Sequence, residues 1–114
     1  MNDSLAVTRP LAGYASALKF RDLPPEVIAI AKTSVLNILA AAIGGAQTRI
    51  GALHLQLAKE MGGGVRQSTL LGDGTRVSRA AAAYANGSLA FALDYEDVCQ
   101  YVIHPGPIVV PAVL

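Results

Sequence analysis

Apolar positions recur at helical spacing along most of this chain. Leu11, Tyr14, Ala15 and Leu18 fall three and four residues apart and predict a first helix over Arg9 to Leu18, with Thr8 as its cap. Pro24-Pro25 then punctuates the chain. Pro25 suits a first helical turn, where its missing N–H has no intrahelical partner anyway, and Glu26 complements the positive end of the helix dipole. Val27, Ile30, Ala31, Val35, Ile38, Leu39, Ala42 and Ile43 place apolar side chains around much of a second helix, which Gly44-Gly45 ends. A helix apolar on most sides is expected to be buried on most sides, and 114 residues have difficulty surrounding it alone.

A third helix is predicted from Ile50 to Met61, with Leu53, Leu57 and Met61 as its stripe. Gly62-Gly63-Gly64 ends it and lacks the spacing and following Lys-Ser/Thr of a phosphate-binding loop. Thr69-Leu70-Leu71, Gly72-Asp73-Gly74 and Arg76-Val77 suggest a small hairpin near residues 68–77. Ser78 is placed to cap a fourth helix running to about Leu93; the run Ala80 to Ala83 favours helix, and Gly87 marks a close contact or a bend. Beyond Leu93 the texture changes. Asp94-Tyr95-Glu96-Asp97 is acidic, His104-Pro105-Gly106-Pro107 predicts a rigid turn, and Pro111 to Leu114 resembles the opening turn of another apolar helix. The expected fold class is all-α, with at most that one short β-hairpin. Residues 1–114 are expected to be a partial, N-terminal portion of a larger helical domain, because a chain seldom ends on the opening turn of an apolar helix.

Composition narrows the function. Hydrophobic residues make up 53% and charged residues 15%, against about 25% charged in typical soluble domains, so the chain has ample surface to bury and is not disordered. A net charge of +1 and the absence of Trp give no reason to expect nucleic acid. A single cysteine, Cys99, excludes a disulfide scaffold. The N-terminus has no basic stretch followed by an apolar core, so no signal peptide is expected. Val27 to Ala46 is the most membrane-like stretch, but Lys32, Thr33, Ser34 and Asn37 lie near its centre. A central lysine alone costs about 2.5–3.5 kcal/mol to insert. No membrane association and a cytoplasmic setting are expected.

Candidate chemistry gathers near the C-terminus, in Asp94, Glu96, Asp97, Cys99, Tyr101 and His104. Carboxylates beside a histidine can do general acid–base work. Asp94 and Asp97 would share a face if the fourth helix continued through them. Two carboxylates and a histidine could also hold a metal, but the spacing matches no standard motif, and none is expected. The competing reading of the acidic run is a solvated helix cap. Cys99 among carboxylates reads as a passive small residue, His54 as a surface or hydrogen-bonded histidine, and Tyr84, Tyr95 and Tyr101 as packing residues with polar tips.

Three segments together resemble the MmgE/PrpD family, which includes 2-methylcitrate dehydratase and cis-aconitate decarboxylase. "LAGYASALKFRDLPPEVIAIAKTSVLNILAAAIGGAQT" is similar to the family's opening pair of helices, "TLLGDGTRVSRAAAAYANGSLAFALDYED" to the helix that leads into its acidic run, and "HPGPIVVPAVL" to the His-Pro segment that follows. The resemblance implies a large all-helical domain with a smaller α/β lid, homodimers, no cofactor, and proton transfer next to a carboxylate of a di- or tricarboxylate. Water or carbon dioxide is lost, or the carbon is epimerised. It implies active-site roles for Asp94 and His104, as catalytic and substrate-binding residues. Asp94 would orient the histidine. Glu96 stands where the family usually has a second aspartate, and Phe91 where it often has histidine. Val98 stands at a substrate-binding position usually held by threonine; valine can neither donate nor accept a hydrogen bond. Family members are several times longer, and their further histidines and a lysine would lie beyond Leu114. The segment alone is therefore expected to be inactive, and to work as a homodimer or with the remainder of its domain. The alternative is a non-catalytic helical remnant, or a split subunit that folds only with a partner chain.

Overall fold

The computed structural model describes residues 7–62, 64–99 and 103–114. The chain divides into two compact units, residues 1–30 and 31–114. In the first, α1 spans Thr8–Ala17, and a 3-10 turn at Phe20–Asp22 leads to Pro25. Thr8 lies inside α1 rather than capping it; Val7 holds the cap position without a side-chain bond. The polar end of the 3-10 turn is closed instead by the Asp22 carboxylate, which accepts from the Lys19 N–H at 3.2 Å. No residue of α1 is buried.

Helix α2, Pro25–Gly45, runs from the first unit into the second, with Glu26 in its first turn as the dipole favours. The expectation of burial on most sides is not met within this chain. Its buried residues are Ile38, Ala41, Ala42 and Gly45, all in the second half, while Leu36 and Ile43 stay exposed. By length and composition α2 could cross a membrane, and 17% of its apolar window is buried inside the protein.

In residues 31–114 the remaining elements are α3 (Arg49–Gly62), β1 (Ser68–Thr69), β2 (Arg76–Val77), α4 (Arg79–Phe91) and α5 (Pro105–Val113). The fold of the described residues is all-α with one two-stranded antiparallel hairpin, Ser68 opposite Val77 and Thr69 opposite Arg76. Helix α3 does not bury the Leu53–Leu57–Met61 stripe, which is exposed. It buries Gly51, Leu55, Ala58 and Gly62 instead. Small side chains let α3 approach α4 closely, and α4 answers with Ala81, Ala82 and Ala85. Ile38, Leu70, Val77 and Leu89 are the largest fully buried side chains and tie α2, the hairpin and α4 into one core.

Ser78 caps α4 as expected, its hydroxyl accepting from the Ala81 N–H at 3.4 Å. Buried Asn86 then staples the hairpin to α4. Its side-chain oxygen accepts from Leu71 N–H at 2.9 Å and its amide donates to the Thr69 carbonyl at 3.0 Å, so a buried polar group is satisfied at both ends. Helix α4 stops at Phe91 rather than Leu93, and Asp94 takes a left-handed backbone at φ 54°. Asp94 and Asp97 therefore share no helical face. Gly87 is a close contact and not a bend: a Cβ there would meet the Pro107 carbonyl at 2.9 Å. The segment expected to be a rigid turn is the opening of α5, with Pro105 in its first turn, and Pro111 lies inside that helix rather than opening another. Pro111 has no N–H for the Pro107 carbonyl, which faces the bare Gly87 backbone instead.

On the hairpin turn, burial alone pushes the Asp73 carboxyl up, but the Lys59 ammonium and the Thr75 N–H and hydroxyl outweigh it and hold it below its ordinary 3.8. A carboxylate depressed by folding stabilises above its unfolded value and loses that contribution as pH falls through the folded value. Asp73→Asn should therefore be less stable than wild type at neutral pH, and the gap should close on acidification below about pH 4; urea melts at the two pH values check this. The pair is partly exposed, so the effect is small.

Candidate active site

The carboxyl end of α4 and the amino end of α5 are joined by a segment pinned at three points. The Asp97 carboxylate accepts from Gly106 N–H at 3.1 Å, which satisfies one of the free donors in the first turn of α5. Asp97 is thus the part of the acidic run that caps a helix. Cys99 and Ile103 form an antiparallel bridge, with N···O distances of 2.8 and 3.4 Å. The Asn37 amide of α2 reaches the Tyr95 carbonyl at 3.4 Å. Gly106 is required at its place, because a Cβ would meet the Asp97 carboxylate at 2.0 Å and the Ile38 side chain at 2.5 Å. Tyr95 is exposed rather than packed. Tyr101 lies outside the described residues.

This scaffold brings Asp94, Glu96 and His104 together, with one side-chain donor atom of each within 4.8 Å of the others. The partner of His104 is not the one expected. Glu96 Oε1 stands 2.9 Å from His104 Nδ1, and the Glu96 side chain is fully buried. Asp94 is exposed at the edge of the group. A buried carboxylate needs a compensating partner far more than an exposed one does, and the His104 imidazole is the partner at 2.9 Å. The pair has an ion-pair distance without hydrogen-bond alignment: Glu96 Oε1, Glu96 Oε2 and His104 Nδ1 are all buried with no hydrogen bond. Because Nδ1 is the buried nitrogen, Nε2 is the one accessible from outside. The Phe91 ring packs against the imidazole from the end of α4, centroid to centroid 5.4 Å at 54°. Among the described residues no lysine or arginine forms an ion pair with Asp94, Glu96 or Asp97.

The same three side chains are the described group that could hold a metal ion. Opposite ligands of an ion bound at 2.1 Å stand about 4.2 Å apart, so donors spread over the full 4.8 Å would have to close in to grip one. Val98 is half-exposed beyond Asp97, outside the group. Cys99 is exposed. His54 takes a bond elsewhere, Nδ1 to the Tyr84 hydroxyl at 2.9 Å with an edge-on ring contact. A groove of about 690 Å3 between the hairpin, α4 and residues 111–114 is lined by Arg76 and Arg79 and includes none of Asp94, Glu96 or His104.

Sequence reasoning had placed Asp94 and His104 in the site and missed Glu96 as the histidine's partner. Spacing could not reveal it, because the contact depends on the Asp97–Gly106 bond that holds the start of α5 beside Glu96. The family model described as MmgE/PrpD N-terminal domain matches residues 9–114. Searches of curated proteins and of solved structures each return no match. The match spans nearly the whole chain, and the chain belongs to the MmgE/PrpD family, within its N-terminal domain.

Proposed function

We propose that this chain is the N-terminal portion of a lyase or isomerase that acts on di- or tricarboxylates without a cofactor, moving a proton on the carbon next to a carboxylate. The observation that carries the reading is the grouping of Asp94, Glu96 and His104, with Glu96 on the buried Nδ1 and the imidazole still partly exposed. A carbon acid of this kind needs a positioned base, and an imidazole is suited to exchange protons near neutral pH. In this reading His104 takes the proton through Nε2. Asp94, at the rim, accepts hydrogen bonds from substrate hydroxyls or from a protonated substrate carboxyl. The Val98 position contributes an apolar wall where threonine would contribute a hydroxyl. The negative charge that develops on the substrate needs cationic or N–H donors. Those come from the rest of the domain or from a second copy in a homodimer, so the 114-residue segment by itself has no turnover.

Solvent-deuterium exchange tests the reading. The intact protein carrying this segment is incubated in D2O with 2-methylcitrate, cis-aconitate and simple dicarboxylates, and products are followed by NMR and mass spectrometry. Deuterium entering next to a carboxylate, with or without net loss of water or carbon dioxide, is the expected result. Absence of exchange and of product across the panel would support the non-catalytic alternative.

A further inference from the structure

We infer that Glu96 is the positioning residue of His104: its buried carboxylate accepts from the Nδ1–H and leaves Nε2 as the free base. The role of Nε2 rests on the reading above, whereas the pairing itself stands on the geometry.

An ionisable side chain with no exposure has to be explained by what it meets. Among the described residues Glu96 meets the His104 imidazole at 2.9 Å, and neither of its oxygens has an aligned hydrogen bond. The loop holds the two residues in register from both sides. The Asp97–Gly106 bond and the Cys99–Ile103 bridge fix the segment carrying His104 against the segment carrying Glu96. The Phe91 ring limits how far the imidazole can swing. What remains imperfect is the angle alone. Active-site hydrogen bonds are frequently misaligned before substrate arrives and tighten in the complex. A carboxylate on one ring nitrogen selects the tautomer and leaves the lone pair on the other. Asp94 does not fill this role, because it is exposed and keeps its solvation.

The experiment uses the intact protein with 15N-labelled histidine, recorded at mildly alkaline pH, with His104→Ala identifying the His104 ring signals. In wild type His104 should carry its proton on Nδ1. In Glu96→Ala the proton should move to Nε2, and Glu96→Asp should restore the wild-type pattern. With turnover as a second readout, Glu96→Ala should lower kcat about 10- to 100-fold with KM little changed, as loss of an orienting partner does, and Glu96→Asp should recover most of it. A wild-type His104 protonated on Nε2 overturns the inference without any variant, so a Glu96→Ala protein that fails to fold does not protect it. Stoichiometric uptake of Zn2+ or Mn2+ by wild type, lost in Glu96→Asp or Glu96→Ala, would also overturn it, since the unpartnered atoms would then be metal donors. If the intact protein shows no turnover on any substrate, the functional reading fails while the tautomer still decides the pairing.

Discussion

His104→Ala in the intact protein is expected to lower turnover by about 100- to 10,000-fold, the range contributed by a positioned general base. That corresponds to about 3–5 kcal/mol of lost transition-state stabilisation. The argument runs from position. His104 sits at the N-cap of α5 with a non-helical backbone, so removing its side chain leaves the helix hydrogen bonds intact. Gly106 N–H keeps its bond to Asp97. An imidazole is suited to take a proton from carbon near neutral pH and return it. The substitution also leaves the buried Glu96 carboxylate without its imidazole neighbour, which adds a stability cost of its own. Tm and circular dichroism measured beside the kinetics separate the two effects. A variant that keeps the wild-type fold and more than about a tenth of wild-type kcat would remove His104 from the chemistry.

The fold was legible where local signals were strong and unshared. Pro25, Glu26 and Gly45 bound α2 because each satisfies a rule that involves neighbours within one turn. Ser78 caps α4 for the same reason. The errors came where two faces compete. In α3, the three large residues at i, i+4 and i+8 made the more visible stripe, yet Gly51, Leu55, Ala58 and Gly62 are buried, with Gly51 close against the Gly45 carbonyl and Gly62 close against Ala81. In α5, residues 104–107 read as a rigid turn and Pro111 as the opening of a further helix, although Pro105 lies in the first turn of one helix and Pro111 inside it. The site followed the same division. The resemblance pointed to Asp94 and His104, and the structure places both in one group. The pairing of Glu96 was not legible, since its partner lies eight residues on, across a loop, and no periodicity links the two.

Gly45→Ala is expected to be the most damaging single methyl added to this core. A Cβ at that position would lie 2.0 Å from the Leu89 carbonyl oxygen, 2.9 Å from its carbon and 3.1 Å from Ala92 Cβ. The first two are backbone atoms inside α4, so no rotamer change relieves the clash, and α2 and α4 must separate. The damage spreads to α3, because the Gly45 carbonyl itself lies 2.1 Å from where a Cβ on Gly51 would stand. Leu89 is fully buried, so separation also opens the core around it. Overpacking typically costs about 1–3 kcal/mol, and a clash with backbone belongs at or above the upper end. A domain of this size loses about 4–8 °C of Tm per kcal/mol, so a drop of at least about 12 °C is expected. Gly13→Ala supplies the comparison. It makes the same change inside α1, where nothing lies within 4 Å of the added carbon. There the gain in helix propensity is about 0.5–1 kcal/mol, and Tm should hold or rise slightly. Thermal melts of both variants of the intact protein decide the matter: if Gly45→Ala melts within about 3 °C of wild type, the α2–α4 contact is not the close approach described above.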